Sequence, residues 1–304
     1  MVLEIKELKA SNGKPYVALK LADKTGQISA KKWDTESIPA KDGDICSVDF
    51  LVGEYKGKVD GTISSIFVAQ PPYDMSDFVK ASAYDSDFMW SKLALYLKGF
   101  ESPHFKTVAE ALFDETSREL FKKSPAATMM HHAFVHGLLE HTLEMLNCAD
   151  VLLMQPFFEN TLNRDLCMFG IMFHDFGKIY EYSSEPGFKV KPQGLLVGHI
   201  PMVAARIYEE AGKIRVPDVI RDHMMHVVLA HHGIKAWGSP NLPACPEAVF
   251  VHHVDNLHGS VFGLIQAREA ATTETFKYGF GDQQLHALKK SFDELVKEDE
   301  TNGF

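Results

Sequence analysis

Histidines are concentrated in one part of this chain, which constrains how it can fold. Of the 15 histidines in 304 residues, 13 lie between His131 and His258. Within that region the apolar run 170–173 ends in His174 and Asp175, which are followed by Gly177 and Lys178. A neighbouring imidazole and carboxylate can bind one divalent cation, and the second carboxylate oxygen can bridge to another. This distribution predicts metal-dependent chemistry.

A series of nitrogen and oxygen donors follows a defined order along the chain. It comprises five imidazoles and two carboxylates and no cysteine: His141, His174, Asp175, His199, His231, His232 and Asp255. A structural zinc ion needs four ligands, which are commonly thiolates, so this set is of the wrong kind and too large. Two ions about 3.5–4 Å apart that share a carboxylate suit the hydrolysis of a phosphate ester. The set therefore predicts two metal ions rather than one.

The remaining histidines of this region have less specific interpretations. His132 and His136 have helical spacing, and contact with substrate or a capping and packing role are both consistent with their positions. His223, His226 and His253 are interpreted as hydrogen-bonded neighbours of the ligands rather than as ligands. His258 is interpreted as an ordinary surface residue.

The composition is that of a globular protein without a membrane span. Hydrophobic residues make up 45% and charged residues 24%, and no apolar stretch is long enough to cross a bilayer. The first residues lack the basic and then apolar pattern of a signal peptide. Four widely spaced cysteines predict reduced side chains in a cytoplasmic protein.

The net charge of −10 belongs to the later part of the chain. Residues 1–70 hold ten lysines and ten acidic residues, so this segment is neutral. Residues 71–304 therefore carry the whole excess of acidic side chains. A broad basic face for nucleic acid is not supported, although metal ions would offset part of the excess.

Two different periodicities divide the chain. Residues 1–70 show short strand patterns with intervening turns, and these patterns predict a small antiparallel β-barrel with strands at 16–21, 27–33, 45–52 and 63–68. After Pro71 and Pro72, three- and four-residue apolar spacing predicts helices at 87–98, 106–121, 128–154, 163–180, 196–211, 216–232 and 246–271. The predicted organisation is a barrel domain (1–70), a linker with the first helix (71–105), an all-α domain (106–290) and a polar tail (291–304).

The order His, His-Asp, Asp resembles the HD superfamily of metal-dependent phosphohydrolases. The extra His199 and the pair at 231–232 are similar to its dinuclear branch. More narrowly, the chain resembles the YhaM-type 3′–5′ exoribonucleases, which join an OB-fold domain to an HD domain. Matching stretches include residues 21–26, 131–134, 137–142, 174–178, 198–200, 226–233 and 255–257. His136, where the family is expected to have glycine, and the acidic C-terminal end depart from the pattern.

The resemblance implies a role for each donor. His141, His174, Asp175 and Asp255 would bind the first metal, and Asp175 would bridge to a second metal bound by His199, His231 and His232. Lys178 would stabilise charge on the phosphoryl oxygens, and His132 would protonate the leaving oxygen. Because imidazole suits transition metals, manganese, iron, cobalt or nickel is favoured over magnesium.

The resemblance also implies that the OB-fold holds single-stranded RNA or DNA. Single strands bind such domains by base stacking and by phosphate contacts with lysines. The candidates are Tyr16, Trp33 and Tyr55 with Lys31 and Lys32, and each aromatic side chain could instead belong to the barrel core. Self-association into a homo-oligomer is left open.

The implied function is a metal-dependent 3′–5′ exonuclease that releases nucleoside 5′-monophosphates from single-stranded RNA, with DNA as a further substrate. Two alternatives stay open: an HD-type phosphohydrolase acting on a nucleotide or cyclic dinucleotide, and a nucleic-acid-binding protein without catalytic activity. A barrel that binds strands argues against the first alternative, and a full ligand set argues against the second.

Overall fold

The fold combines an N-terminal β-sheet with a larger helical region. The computed structural model describes residues 1–55, 58–73, 77–78, 80–127, 132–183, 188–270, 275–277 and 284–286. Five strands form the sheet: β1 (Val2–Lys9), β2 (Pro15–Asp23), β3 (Gly26–Trp33), β4 (Cys46–Tyr55) and β5 (Lys58–Val68). They are ordered β1-β2-β3-β5-β4.

The sheet has the architecture of a partly open five-stranded OB-fold. Alternate residues of β2, Val17, Leu19 and Leu21, point inward and pack against Ala30 and Ile63. The pairs β1–β2, β2–β3 and β4–β5 are antiparallel, and β3 pairs with β5 in parallel. No ladder joins β1 to β4 in the described part of the chain, so the barrel stays open there.

Two details of the sheet differ from the sequence prediction. The predicted small antiparallel barrel is confirmed, and it contains one parallel pair, β3–β5, because a crossover places these two strands side by side in the same direction. The prediction also missed β1. Its glutamates and lysines are poor strand formers, and the apolar alternation covers only Leu3 and Ile5 before Glu7 interrupts it, so the strand signal is weak.

Eleven helices follow within the described residues. They are α1 (Ser86–Lys98), α2 (Pro103–Leu112), α3 (Glu115–Lys123), α4 (Gly137–Leu153), α5 (Pro156–Glu159), α6 (Arg164–Phe173), α7 (Lys178–Glu181), α8 (Pro192–Val197), α9 (His199–Ile214), α10 (Asp218–Leu229) and α11 (Pro246–Ala270). The short strands β6 (Thr275–Lys277) and β7 (Gln284–His286) pair at the end of the described chain, and the sequence did not predict them. The polar tail 291–304 lies outside the described residues. No described helix is long and apolar enough to cross a membrane.

Several predicted helices are shorter or divided. The stretch 106–121 is two helices, because Asp114 ends the first and caps α3 through a hydrogen bond from the Ser117 backbone N–H. The stretch 128–154 becomes helical only at Gly137, and residues 128–131 lie outside the described part. His132 and His136 have φ angles of 53° and 68°, so they do not share a helix face as predicted. Glycine adopts this left-handed conformation more readily than histidine does.

Helix α6 is the centre of the helical region. Every residue from Asp165 to Phe173 is buried. The helix packs against α4, which carries His141, against α11, which carries Asp255, and against α10, whose end is followed by His231 and His232. Its predicted continuation to residue 180 was wrong, since the helix ends at Phe173 and a turn follows before α7. The helix therefore carries His174 and Asp175 into the middle of the domain.

We predict that Gly170→Ala destabilises the helical region. A Cβ atom at position 170 would lie 2.7 Å from Val251 Cγ2 and 3.2 Å from Val227 Cβ, so α6 would be forced away from α10 and α11. We expect a loss of about 1–3 kcal/mol of unfolding free energy, as for other overpacked cores. Urea unfolding followed by circular dichroism at the helix band measures it.

Gly212→Ala is the matched control for this prediction. Gly212 lies in α9, and a Cβ atom at this position would have no neighbour within 4 Å, so the same change should stabilise by about 0.5–1 kcal/mol. Equal unfolding midpoints for the two variants would contradict the packing described for α6.

Candidate metal centre

Asp175 lies at the middle of the site, in the turn after α6. Lys178 Nζ is 2.6 Å from Asp175 Oδ2, and both side chains are buried. His174 ends α6 and its Nδ1 atom is 2.8 Å from the Ile171 carbonyl oxygen. That acceptor fixes the proton on Nδ1 and leaves the Nε2 lone pair facing the site. The residues of the His-Asp motif are therefore oriented by their own local backbone.

His199 approaches Asp175 from the start of α9. Its Nε2 atom is 3.4 Å from Asp175 Oδ1, and its Nδ1 atom is 2.7 Å from Glu181 Oε2. A side chain at Gly177 would place Cβ 2.0 Å from the His199 carbonyl oxygen. Only glycine at 177 lets the turn after α6 come this close to the start of α9. Gly177 of the motif therefore allows His199 to reach Asp175.

His231 and His232 follow the end of α10. Their Nδ1 atoms lie 2.7 Å from the Val228 carbonyl oxygen and 2.8 Å from the Trp237 carbonyl oxygen, respectively. Donor atoms of His199, His231 and His232 lie within 4.8 Å of one another. His231 Nε2 is 3.8 Å from Asp175 Oδ1. These three imidazoles therefore surround one oxygen of Asp175.

His141 of α4 and Asp255 of α11 complete the opposite side. His141 Nε2 is 3.4 Å from Asp255 Oδ1, and His174 Nε2 is 3.8 Å from the same oxygen. His141, His174 and Asp175 also place one donor atom each within 4.8 Å of one another. The structure thus brings together all seven donors that the sequence singled out.

The donors leave several buried polar atoms without hydrogen bonds. Among the described residues these include Nε2 of His174, Nε2 of His199, Nε2 of His231 and Oδ1 of Asp175. Buried polar atoms are nearly always paired, so a converging group of unpaired ones needs an explanation. Divalent cations bound by imidazole nitrogens and carboxylate oxygens fit this arrangement.

Burial and charge set the protonation states of the ligands. Burial lowers the pKa of His141 to about 3, and it lowers the pKa of His231 and His232 as well. Burial opposes the ionisation of Asp175, but Lys178, His174 and His199 together outweigh it and hold this pKa well below its ordinary value. Neutral imidazoles beside ionised carboxylates are the forms that bind metals.

In two of these groups, the neighbouring residues shift the pKa in the direction opposite to burial. The desolvation of His174 lowers its pKa, but Asp175, Asp255 and the Ile171 carbonyl oxygen together outweigh it, and the net pKa is raised. Desolvation raises the pKa of Asp255, whereas His141, His174 and His231 together bring it well below its ordinary value. The raised pKa of His174 and the lowered pKa of Asp255 both show that the space between the two carboxylates favours a positive charge.

The sequence did not identify Glu181, Glu144 or the role of His258. His258 was interpreted as a surface residue, but its side chain is only 18% exposed. Its Nδ1 atom is 3.1 Å from His141 Nδ1, and its Nε2 atom is 2.9 Å from Glu144 Oε2. Glu144 lies one turn after His141 on α4, and that spacing could have pointed to it; nothing local marks Glu181.

The other histidines occupy different surroundings. His132 is buried, its ring stacks on Phe262 at 3.7 Å between centroids, and its Nε2 atom is 3.1 Å from Glu144 Oε2. His226 accepts a hydrogen bond from the Ala244 backbone N–H at 2.8 Å. His223 Nδ1 lies 2.6 Å from the Val219 carbonyl oxygen. His131 lies outside the described residues.

A groove on the sheet contains the predicted aromatic pair. Tyr16 of β2 and Trp33 of β3 are directly paired in register, and their rings lie 4.7 Å apart. They line a groove of about 460 Å³, and Trp33 is 43% exposed. Lys31 lines the same groove and pairs with Asp60, while Lys32 donates to the Ser64 carbonyl oxygen. Tyr55 ends β4, and its side chain lies outside the described part.

Comparison with known proteins supports a family assignment. The HD domain model matches residues 138–260, which include every one of the seven donors. The 3′-5′ exoribonuclease YhaM of Geobacillus sp. (strain WCH70) is 34% identical over 287 residues, which span 92% of this chain and 85% of the relative. No solved structure matches the chain. The chain belongs to the YhaM family of 3′–5′ exoribonucleases, and its helical part contains an HD domain.

Proposed function

We propose that this protein is a metal-dependent 3′–5′ exonuclease that hydrolyses single-stranded RNA to nucleoside 5′-monophosphates. The observation that carries the proposal is the convergence of unpaired imidazole nitrogens on Asp175 and Asp255. The activity named for the 34% identical relative agrees with it. The neighbouring sheet with its aromatic groove supplies a surface suited to a strand rather than to a mononucleotide.

Two divalent cations would be bound by the seven donors. His141, His174, Asp175 and Asp255 would hold one ion, and His199, His231 and His232 would hold the other with the second oxygen of Asp175. With five nitrogen donors against two carboxylates, manganese, iron, cobalt or nickel is favoured over magnesium, which prefers oxygen. Bound in this way, the ions would supply Lewis acidity and activate water for attack on phosphorus.

The protein's own residues contribute orientation and charge. The carbonyl oxygens of Ile171, Val228 and Trp237 hold protons on Nδ1 of His174, His231 and His232, so the Nε2 lone pairs of these rings stay available. The Glu181 carboxylate faces His199 Nδ1 at 2.7 Å as an ion-pair partner. Lys178, next to Asp175, would place its positive charge against the phosphoryl oxygens of the substrate. His132 is poorly placed for the role of protonating the leaving oxygen, because its Nε2 atom faces Glu144.

The sheet would hold the strand that leads to the metal centre. Tyr16 and Trp33 would stack on bases, and Lys31 and Lys32 would contact phosphates. Both lysines already contact oxygen atoms of β5, Lys31 at Asp60 and Lys32 at Ser64, so their ammonium groups are directed to that part of the sheet.

Hydrolysis should depend on metal and on Asp175. We expect a chelator to abolish shortening of 5′-labelled single-stranded RNA, and manganese to restore it better than magnesium. Asp175→Ala should lose activity and metal while it keeps the helical circular dichroism spectrum, because a bridging carboxylate serves both ions. DNA of the same sequence, assayed in parallel, measures the preference between polymers.

The product pattern separates this proposal from other functions. A ladder shortened from the 3′ end with nucleoside 5′-monophosphates is expected. Near-normal turnover by folded, metal-stripped Asp175→Ala protein would contradict the proposal, as would internal cleavage of the strand.

Glu181 should control metal binding at the His199 side. Replacing Glu181 with leucine removes the acceptor 2.7 Å from His199 Nδ1, so the imidazole loses its orientation. We expect metal affinity to fall by about 10–100-fold, as for other carboxylates that support a metal-binding histidine. Glu181→Gln keeps an acceptor oxygen and should lose less.

The exposed Glu159 of α5 provides the control, and Glu159→Leu should bind metal as the wild type does. Titration calorimetry on chelator-treated protein measures all four proteins. If Glu181→Leu matched Glu159→Leu in affinity, Glu181 would not orient His199.

Trp33 should contribute to RNA binding but not to the chemical step. Trp33→Ala removes an exposed stacking surface from the groove, and we expect a loss of about 1–3 kcal/mol in binding of long single-stranded RNA. Phe67→Ala is the control, since Phe67 on β5 is 66% exposed but does not line the groove. Fluorescence anisotropy with labelled RNA measures both variants, and equal losses would count against the groove.

A further inference from the structure

A second group of metal-ligating side chains lies on the Nδ1 side of His141. His132, Glu140 and Glu144 each offer one donor atom, and these atoms lie within 4.8 Å of one another. Glu140 and Glu144 are one helical turn apart on α4, and His132 belongs to the segment that precedes this helix. None of the three is among the seven donors around Asp175 and Asp255.

Glu140 is the observation that points to a ligand in this group. The residue is 8% exposed, and its Oε2 atom has no hydrogen-bond partner among the described residues. A buried carboxylate is unfavourable unless it is paired with a cation or hydrogen-bonded. Glu144, in the same group, is a second carboxylate at the same place. A cation between them would compensate both.

The separation of His132 and Glu144 is compatible with a shared ion or with a hydrogen bond. His132 Nε2 is 3.1 Å from Glu144 Oε2. Donor atoms about 2.0–2.2 Å from one tetrahedral ion lie roughly 3.4 Å from each other. A direct hydrogen bond would give the same separation for this pair, so the pair alone does not distinguish the two cases. The unpaired oxygen of Glu140 is what a hydrogen bond between His132 and Glu144 leaves unexplained.

His258 connects this group to the metal centre without being a ligand itself. When His141 uses Nε2 as a metal ligand, its Nδ1 carries the proton and donates to His258 Nδ1 at 3.1 Å. The proton of the neutral His258 ring is then on Nε2, which donates to Glu144 Oε2 at 2.9 Å. Both nitrogens of His258 are therefore used, and Glu144 becomes the anchor of a chain that orients His141.

An entry path for an ion is present. Glu140 and Glu144 line a cavity of about 790 Å³ between α1, α4 and α6. The Glu144 side chain is 37% exposed, so the group can exchange ions with solvent.

We propose that His132, Glu140 and Glu144 bind a further divalent cation, separate from those at Asp175. This ion fixes Glu144 and, through His258, the orientation of His141. One imidazole and two carboxylates suit manganese, which accepts both nitrogen and carboxylate oxygen. The inference concerns residues outside the proposed catalytic set, and it stands or falls independently of the exonuclease assignment.

The test counts manganese ions on the full-length protein. Wild type, Glu140→Gln, Glu144→Gln and the control Glu159→Gln are stripped with chelator, dialysed to equilibrium against Mn²⁺ and measured by elemental mass spectrometry. We expect wild type and Glu159→Gln to hold one more ion per chain than either of the other variants. The comparison uses a difference between proteins, so it does not depend on any activity, and Glu140→Gln tests the group without touching the chain that orients His141.

A thermal measurement guards against loss of fold. Without metal, Glu140→Gln should unfold at a temperature no lower than that of wild type, because it keeps the shape of the buried side chain, and added Mn²⁺ should stabilise wild type more than this variant. Equal ion counts in all four proteins would overturn the proposal. Loss of an ion in only one of the two glutamate variants would overturn it too, since Glu144→Gln alone could act by releasing His141.

Discussion

The structure depends on holding a carboxylate, Asp175, inside the protein at a point where several imidazoles meet. Burial disfavours its charge, and Lys178 compensates at 2.6 Å. That pairing involves only Oδ2, so Oδ1 stays directed at His199 and His231. A fully buried α6 makes this arrangement rigid, because the helix that carries His174 and Asp175 is packed on every side.

Two kinds of partner orient the imidazole rings of the site. Backbone carbonyl oxygens hold His174, His231 and His232, whereas carboxylate or imidazole side chains hold His199 and His141. The first three are fixed by local folding of helix ends and turns. The other two depend on residues distant in sequence, so the His199 and His141 sides should be the more sensitive to substitution.

Much of the metal centre could be predicted from the sequence, because adjacent or ordered His and Asp residues carry the chemistry in their identity. The supporting residues could not. Glu181 and His258 act only through the position that tertiary folding gives them, and neither lies in a local pattern of ligands. The break at Asp114 and the non-helical backbone at His132 and His136 were missed because apolar spacing continued through them. In the sheet, β1 was missed since its strand pattern is charged and mostly exposed.

Location of the bound metals by anomalous X-ray diffraction from manganese-loaded crystals tests the central claim most directly. The account predicts two peaks that flank Asp175, each about 2.0–2.2 Å from Nε2 atoms. One should lie near His141 and His174, and the other near His199, His231 and His232. Peaks bound through Nδ1 atoms, or no peak within bonding distance of Asp175, would contradict the account.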